Sequence, residues 1–110
     1  MQEKVNIPSA LAKLDEFWSQ QTLAQANGQL FKVAKGLGST GWHQHDDQDE
    51  LFIVVSGVLT IQLPDRDVEL GKGDMFVVPR GTQHCPRADA EAQFVIVGSN
   101  ITSTAAGGKP

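Results

Sequence analysis

The sequence predicts an all-β domain, a sandwich or jelly roll of eight short strands with one short helix ahead of them, and three observations carry that prediction. From Gly28 onward the apolar residues fall in short runs broken by Gly, Pro and Asp, the punctuation of strands joined by tight turns. Several of those runs are rich in β-branched and aromatic residues, as in Leu51-Phe52-Ile53-Val54-Val55, which suits a pleated, half-buried surface. Helical spacing is confined to the stretch before Gly28, where Leu11, Leu14, Phe17 and Trp18 recur three and four residues apart.

That first segment, Ile7 to Gln20, reads as a short amphipathic helix, with Pro8 and Ser9 able to start it. Its apolar stripe is expected to pack on the β domain or on a second subunit, and Trp18 at that spacing reads as a core residue. Strands follow at Gln29–Ala34, Trp42–His45, Glu50–Val55, Val58–Leu63, Val68–Leu70, Met75–Val78, Gln83–Pro86 and Gln93–Val97. Ser56-Gly57 makes a sharp reversal between two β-prone runs, and Pro64-Asp65-Arg66-Asp67 supplies a polar hairpin tip. Gly71-Lys72-Gly73-Asp74 and Pro79-Arg80-Gly81-Thr82 are further turns. The stretch from Thr102 to Pro110 is small, polar and Gly-rich, and reads as a flexible tail. All 110 residues suit one domain, with a barrel at about 28–97 and no internal repeat.

A net charge of −4 with scattered basic residues argues against nucleic acid, which needs a concentrated positive patch. No apolar stretch reaches the ~20 residues of a membrane span, and Met1 to Pro8 is polar where an export signal would place its apolar run. Cys85 is the single cysteine, so no internal disulfide forms; it reads as a buried or half-buried thiol, in keeping with the reducing cytoplasm.

Chemistry concentrates in the histidines, of which the chain has three: His43, His45 and His84. Residues two apart on a strand share a face, so His43 and His45 project together while Trp42 and Gln44 project the other way. After the acidic turn Asp46-Asp47-Gln48-Asp49, Glu50 opens the next strand on the face of Phe52 and Val54. A carboxylate on that apolar face is costly to desolvate without a compensating cation, which points to a metal ion nearby.

His43-Gln44-His45, four residues, Glu50, six residues and Gly57 resembles the first motif of the cupin family. Gly73, five residues, Pro79, Arg80, Gly81, two residues and His84 resembles the second, and fifteen residues separate Gly57 from Gly73 as in compact single-domain members. The resemblance implies a double-stranded β-helix in which His43, His45, Glu50 and His84 hold one metal ion. Two positions depart from the pattern: Leu37 stands where the leading Gly of the first motif is expected, with Gly38 one residue closer, and Ala88 stands where an Asn is usual.

Three neutral imidazoles and a carboxylate suit a divalent transition ion, whether iron, manganese, nickel, cobalt, zinc or copper, and leave coordination positions for water or substrate. Such a site permits dioxygenase, isomerase and hydrolase chemistry alike. The chain contains no Tyr, so cupin lyases with a tyrosine base and thiol dioxygenases with a Cys–Tyr pair lack their parts here. Phe52, Val54, Met75, Val77 and Pro86 are expected to wall an apolar pocket for a small molecule. The function expected is a metal-dependent oxidoreductase, isomerase or hydrolase acting on a small oxygenated or aromatic compound. The alternative is a non-catalytic module that binds or senses a small molecule or the metal. A homodimer is expected, because the edge strands of a small β-roll need cover.

Overall fold

The computed structural model describes residues 1–99. The order of elements is α1 (Ile7–Ala12), β1 (Gln21–Ala26), β2 (Gln29–Ser39), β3 (Glu50–Ser56), β4 (Leu59–Gln62), β5 (Asp67–Leu70), β6 (Met75–Val78) and β7 (Cys85–Gly98). The expected all-β architecture with one short N-terminal helix is the one adopted. Among the described residues no helix is long and apolar enough to cross a membrane. The tail expected at 102–110 lies outside the described residues.

All ladders are antiparallel. The sheet runs β1-β2-β7-β3-β6, and β4 branches from it by pairing with both β7 and β5. The centre is β7: its C-terminal half lies between β2 and β3, with Ile96 opposite both Lys32 and Phe52, while its first residues, Cys85 to Arg87, pair with Thr60 to Gln62 of β4. One strand thus joins both parts of the roll, turning at an irregularity where β2 slips register between Gly36 and Gly38. The interior face carries Ala34, Phe52, Val54, Leu59, Ile61, Phe94 and Ile96 as one buried cluster. A second cluster, Leu11, Val33 and Val95, lies on the opposite face under α1.

Several elements differ from the sequence reading. The helix stops at Ala12, six residues long, and the chain to Gln20 is irregular, with Trp18 in the left-handed region at φ 67°. The apolar stripe packs on the chain's own sheet through Leu11 and Leu14. β1 was not expected; its sequence, Gln-Thr-Leu-Ala-Gln-Ala, is exposed at both ends and carries no strong strand signal. Trp42–His45 is not a strand but a single bridge from His43 to His84. Of the expected Gln83–Pro86 only Cys85 and Pro86 lie in a strand, and they join Gln93–Val97 in one continuous β7 whose middle, Asp89 to Glu91, is exposed.

Gly57, which closes the first motif, is required twice over. Its φ is +78°, and a Cβ there would lie 2.5 Å from the Glu91 carbonyl oxygen. The two departures from the motif fall together: Gly38 and Ala88 are direct partners across β2 and β7. Ala88 is buried in the interior cluster, where an Asn would need a hydrogen-bond partner.

Candidate metal centre

Backbone pairing places two of the histidines. The His43 N–H donates to the His84 carbonyl at 3.0 Å, and the His84 N–H donates back at 2.9 Å, so the two imidazoles stand side by side with ring centroids 4.4 Å apart. The Gly81 N–H donates to the His45 carbonyl at 2.7 Å, tying the turn of the second motif to the end of the first. Glu50, opposite Val78 on β6, points inward from the start of β3. One ligand atom from each of His43, His45, Glu50 and His84 lies within 4.8 Å of every other.

The orientation of the rings decides what the cluster can hold. The Nδ1–H of His43 donates to the Gly41 carbonyl at 2.8 Å, and that of His84 donates to the Thr82 carbonyl at 2.9 Å. A carbonyl only accepts, so the proton sits on Nδ1 and each neutral ring presents a bare Nε2 lone pair. The His84 Nε2 lies 3.2 Å from Glu50 Oε1, where two lone pairs repel unless a proton or a cation stands between them. The His45 Nε2 is 3.4 Å from Glu50 Oε2, long for a hydrogen bond, and it is buried with no hydrogen-bond partner among the described residues. Orphaned nitrogen beside carboxylate oxygen is the donor set of a divalent transition ion, and the residues present fit one.

In the absence of an ion, a proton fills the gap between Glu50 and the histidines. Burial pushes the Glu50 carboxyl up, but hydrogen bonds from His45 and His84, together with their charge, outweigh it and bring it from 4.5 to about 2. Burial lowers the His43 imidazole below 6.5, against the opposing pull of its bond to Gly41. Lys32, in line with Ile96 and Phe52 across the sheet, is buried; desolvation lowers its amine while the Glu50 charge raises it.

A small cavity opens beside the cluster, touched by Trp18, Gln20, His43, Glu50, Phe52 and Pro86. Its volume is about 20 Å³, on the measure by which one water needs ~10–15 Å³. Of the pocket residues expected from sequence, Phe52 and Pro86 stand at this wall. Val54 is buried further along β3 in the core, away from the cavity lining. Met75 and Val77 point outward, 59% and 47% exposed, and are corrected to surface positions. The register explains it: Phe76 and Val78 oppose the inward Phe52 and Glu50, so Met75 and Val77 take the other face. Trp18, Gln20 and Lys32 were not singled out as site residues. Lys32 sits in a run, Leu30 to Ala34, that is apolar on both faces, so alternation alone gives no sign of its direction.

Comparison with known proteins gives the family and agrees with the fold. The family described as a cupin domain matches residues 29–98, and the chain is a member of it. An uncharacterized protein of Bacillus subtilis (strain 168), YdbB, is 30% identical over 89 residues, covering 80% of this chain and 79% of that one. Among solved structures, a cupin-2 domain containing protein from Shewanella frigidimarina superposes with a TM-score of 0.82 at 35% identity, covering 84% of this chain and 91% of that one. Protein NMB1881 from Neisseria meningitidis gives 0.81 at 28% identity, covering 89% and 100%.

Proposed function

We propose that this cupin is a metal-dependent enzyme acting on a small oxygenated or aromatic molecule, by oxygenase, isomerase or hydrolase chemistry. The observation that carries the reading is the buried set of His43, His45, Glu50 and His84, with bare Nε2 atoms facing an ionised carboxylate at the edge of a cavity. One divalent transition ion, iron, manganese, nickel, cobalt, zinc or copper, would be held by these residues and would supply Lewis acidity or a place for dioxygen. The chain's own groups do the rest. Gly41 and Thr82 fix the tautomers of His43 and His84. Glu50, held ionised, accepts and does not donate. Phe52 and Pro86 give the cavity an apolar wall that limits water.

Elemental analysis by mass spectrometry on untagged protein, beside His84→Ala, tests this. The expected result is about one transition metal per chain, lost in the variant. Metal-free protein in both preparations overturns the metalloenzyme and favours the alternative, a module that binds a small molecule without turnover.

The same reading assigns the protein to the cytoplasm as a homodimer. Support comes from its buried free thiol, Cys85, and from β6, an edge strand of the sheet path that exposes Met75 and Val77. Sedimentation equilibrium is expected to give twice the chain mass, and a monomer at micromolar concentration contradicts the dimer.

A further inference from the structure

We propose that Trp18 is a displaceable plug: its indole holds the seat of a flat aromatic ligand, which binds beside the metal-ligand cluster by pushing the indole out. The inference rests on the reading above that a small molecule reaches that cluster, and it narrows the molecule to the class an indole imitates.

The cavity beside the cluster, about 20 Å³, has room for one water and for no organic ligand, so a molecule reaches His43 and Glu50 only if a wall moves. Most of the wall is fixed: Ala34, Phe52, Phe94 and Ile96 belong to the buried interior cluster, and Pro86 lies in the ladder of β7 with β4. Trp18 and its neighbour Gln20 come instead from the irregular segment between α1 and β1, and Trp18 packs against the interior cluster while still reaching solvent. That segment is tethered at both ends, by Leu11 and Leu14 in the second cluster and by Gln21 opposite Val33 in β1. Between the tethers, the hydrogen bonds to the sheet among the described residues are both made by Trp18. Its backbone N–H donates to the Lys35 carbonyl at 2.7 Å and its indole N–H to the Leu37 carbonyl at 2.9 Å. Phe17 adds one exposed contact, its ring 5.0 Å from Lys35 Nζ. Swinging the indole out therefore breaks no strand pairing. Two features set the indole apart as the occupant of a seat. Trp18 has φ 67°, in the left-handed region that bulky residues rarely adopt and that recurs at ligand clamps and switches. Gly36 has no left-handed φ to demand a glycine, yet a Cβ there would lie 2.6 Å from Cη2, 2.8 Å from Cζ3 and 3.0 Å from Cζ2 of the Trp18 ring. The missing side chain leaves a flat floor for a ring, and Phe94, with its centroid 6.0 Å away, bounds the seat on the buried side.

The test titrates indole into ¹⁵N-labelled protein carrying Trp42→Phe, an exposed position whose replacement leaves Trp18 as the single tryptophan. The Trp18 indole N–H is followed by NMR, first metal-free and then with Zn²⁺, which is diamagnetic. Its resonance is expected to move to that of a solvent-exposed indole and its hydrogen exchange to quicken as the probe binds. Trp18→Gly is expected to bind indole at least about tenfold tighter, because the plug leaves the seat open only a small fraction of the time. Adding Gly36→Ala, which sets a Cβ into the seat, should remove that gain. Phenol is expected to displace Trp18, and cyclohexanol, with the same hydroxyl on a puckered ring, to leave it in place; equal displacement by both overturns the flat seat. The plug itself is overturned if the Trp18 resonance stays put up to the solubility of indole, since Trp18 is then a fixed part of the core, or if a folded Trp18→Gly gains no affinity. If that variant does not fold, the titration of Trp42→Phe protein decides alone. Zn²⁺ that binds while indole leaves Trp18 in place overturns the plug and spares the metal centre, and displacement of Trp18 in protein that takes up no Zn²⁺ does the reverse.

Discussion

The two ends of β3 face one interior and use it in opposite ways. At the start, Glu50 stands among His45 and His84 with the buried Lys32 in the next row; at the far end, Val54 leads through the Gly57 turn to Leu59, among hydrocarbon alone. Burying ionisable groups opposes folding unless each finds a partner, whereas burying hydrocarbon drives it. The polar end is thus a site that the apolar end keeps folded, and substitutions at the two should separate stability from metal binding.

The largest effect on stability is expected at the apolar end. Leu59, fully buried, replaced by Ala should cost about 2–5 kcal/mol in chemical unfolding, the range for a large-to-small core change, while the folded fraction keeps its metal. Glu50→Gln should do the converse. Isothermal titration with Zn²⁺ is expected to show a loss of at least ~100-fold in affinity, beyond the 10–100-fold typical of an outer partner, and the metal-free protein should still fold. Equal affinity for Zn²⁺ would mean that Glu50 is no ligand. At the turn, Gly57→Ala meets both the left-handed φ and the Glu91 carbonyl, and about 1–3 kcal/mol of destabilisation is expected.

Acid should weaken the polar end first. His43 is depressed below 6.5 and Glu50 from 4.5 to about 2. In both cases the unfolded chain binds the proton more readily, so stability is present above the ordinary value and lost as pH falls through the depressed one. The melting temperature of metal-free protein should decline below about pH 6.5, and further from 4.5 toward 2, and Glu50→Gln should flatten the lower part. A melting temperature constant from pH 7 to 3 would contradict both shifts. Smallest of all, Arg66→Ala removes an exposed ion pair with Asp65, 3.9 Å long, and should change stability by less than about 0.5 kcal/mol.

How much of this was legible in the sequence depended on where the signal came from. The spacing of His43, His45, Glu50, Gly57 and His84 named a cluster that the fold brings together, because turns of fixed length leave little freedom in where those side chains arrive. β3 and β6 were placed nearly to their ends by their apolar runs. Direction was harder: Met75-Phe76-Val77-Val78 is apolar at every position, so a slip of one residue exchanges its faces, and only pairing with β3 decides that Phe76 and Val78 turn inward. β1 is polar and held by its ladder to β2, an interaction no local pattern announces. Gln20 and Trp18 acquire meaning only when the segment after α1 comes to rest across the cavity.

The central position of β7 bears on synthesis. Residues 85–98 supply partners for β2, β3 and β4, so while they are still inside the ribosome the emerging chain has three strand pairs, β1–β2, β3–β6 and β4–β5, and no ladder to unite them. His84, at the root of the same strand, arrives equally late. The His43, His45, Glu50 and His84 cluster is therefore expected to be assembled after translation has passed β7, and folding should be slow for a chain of this length because its decisive pairings span most of the sequence.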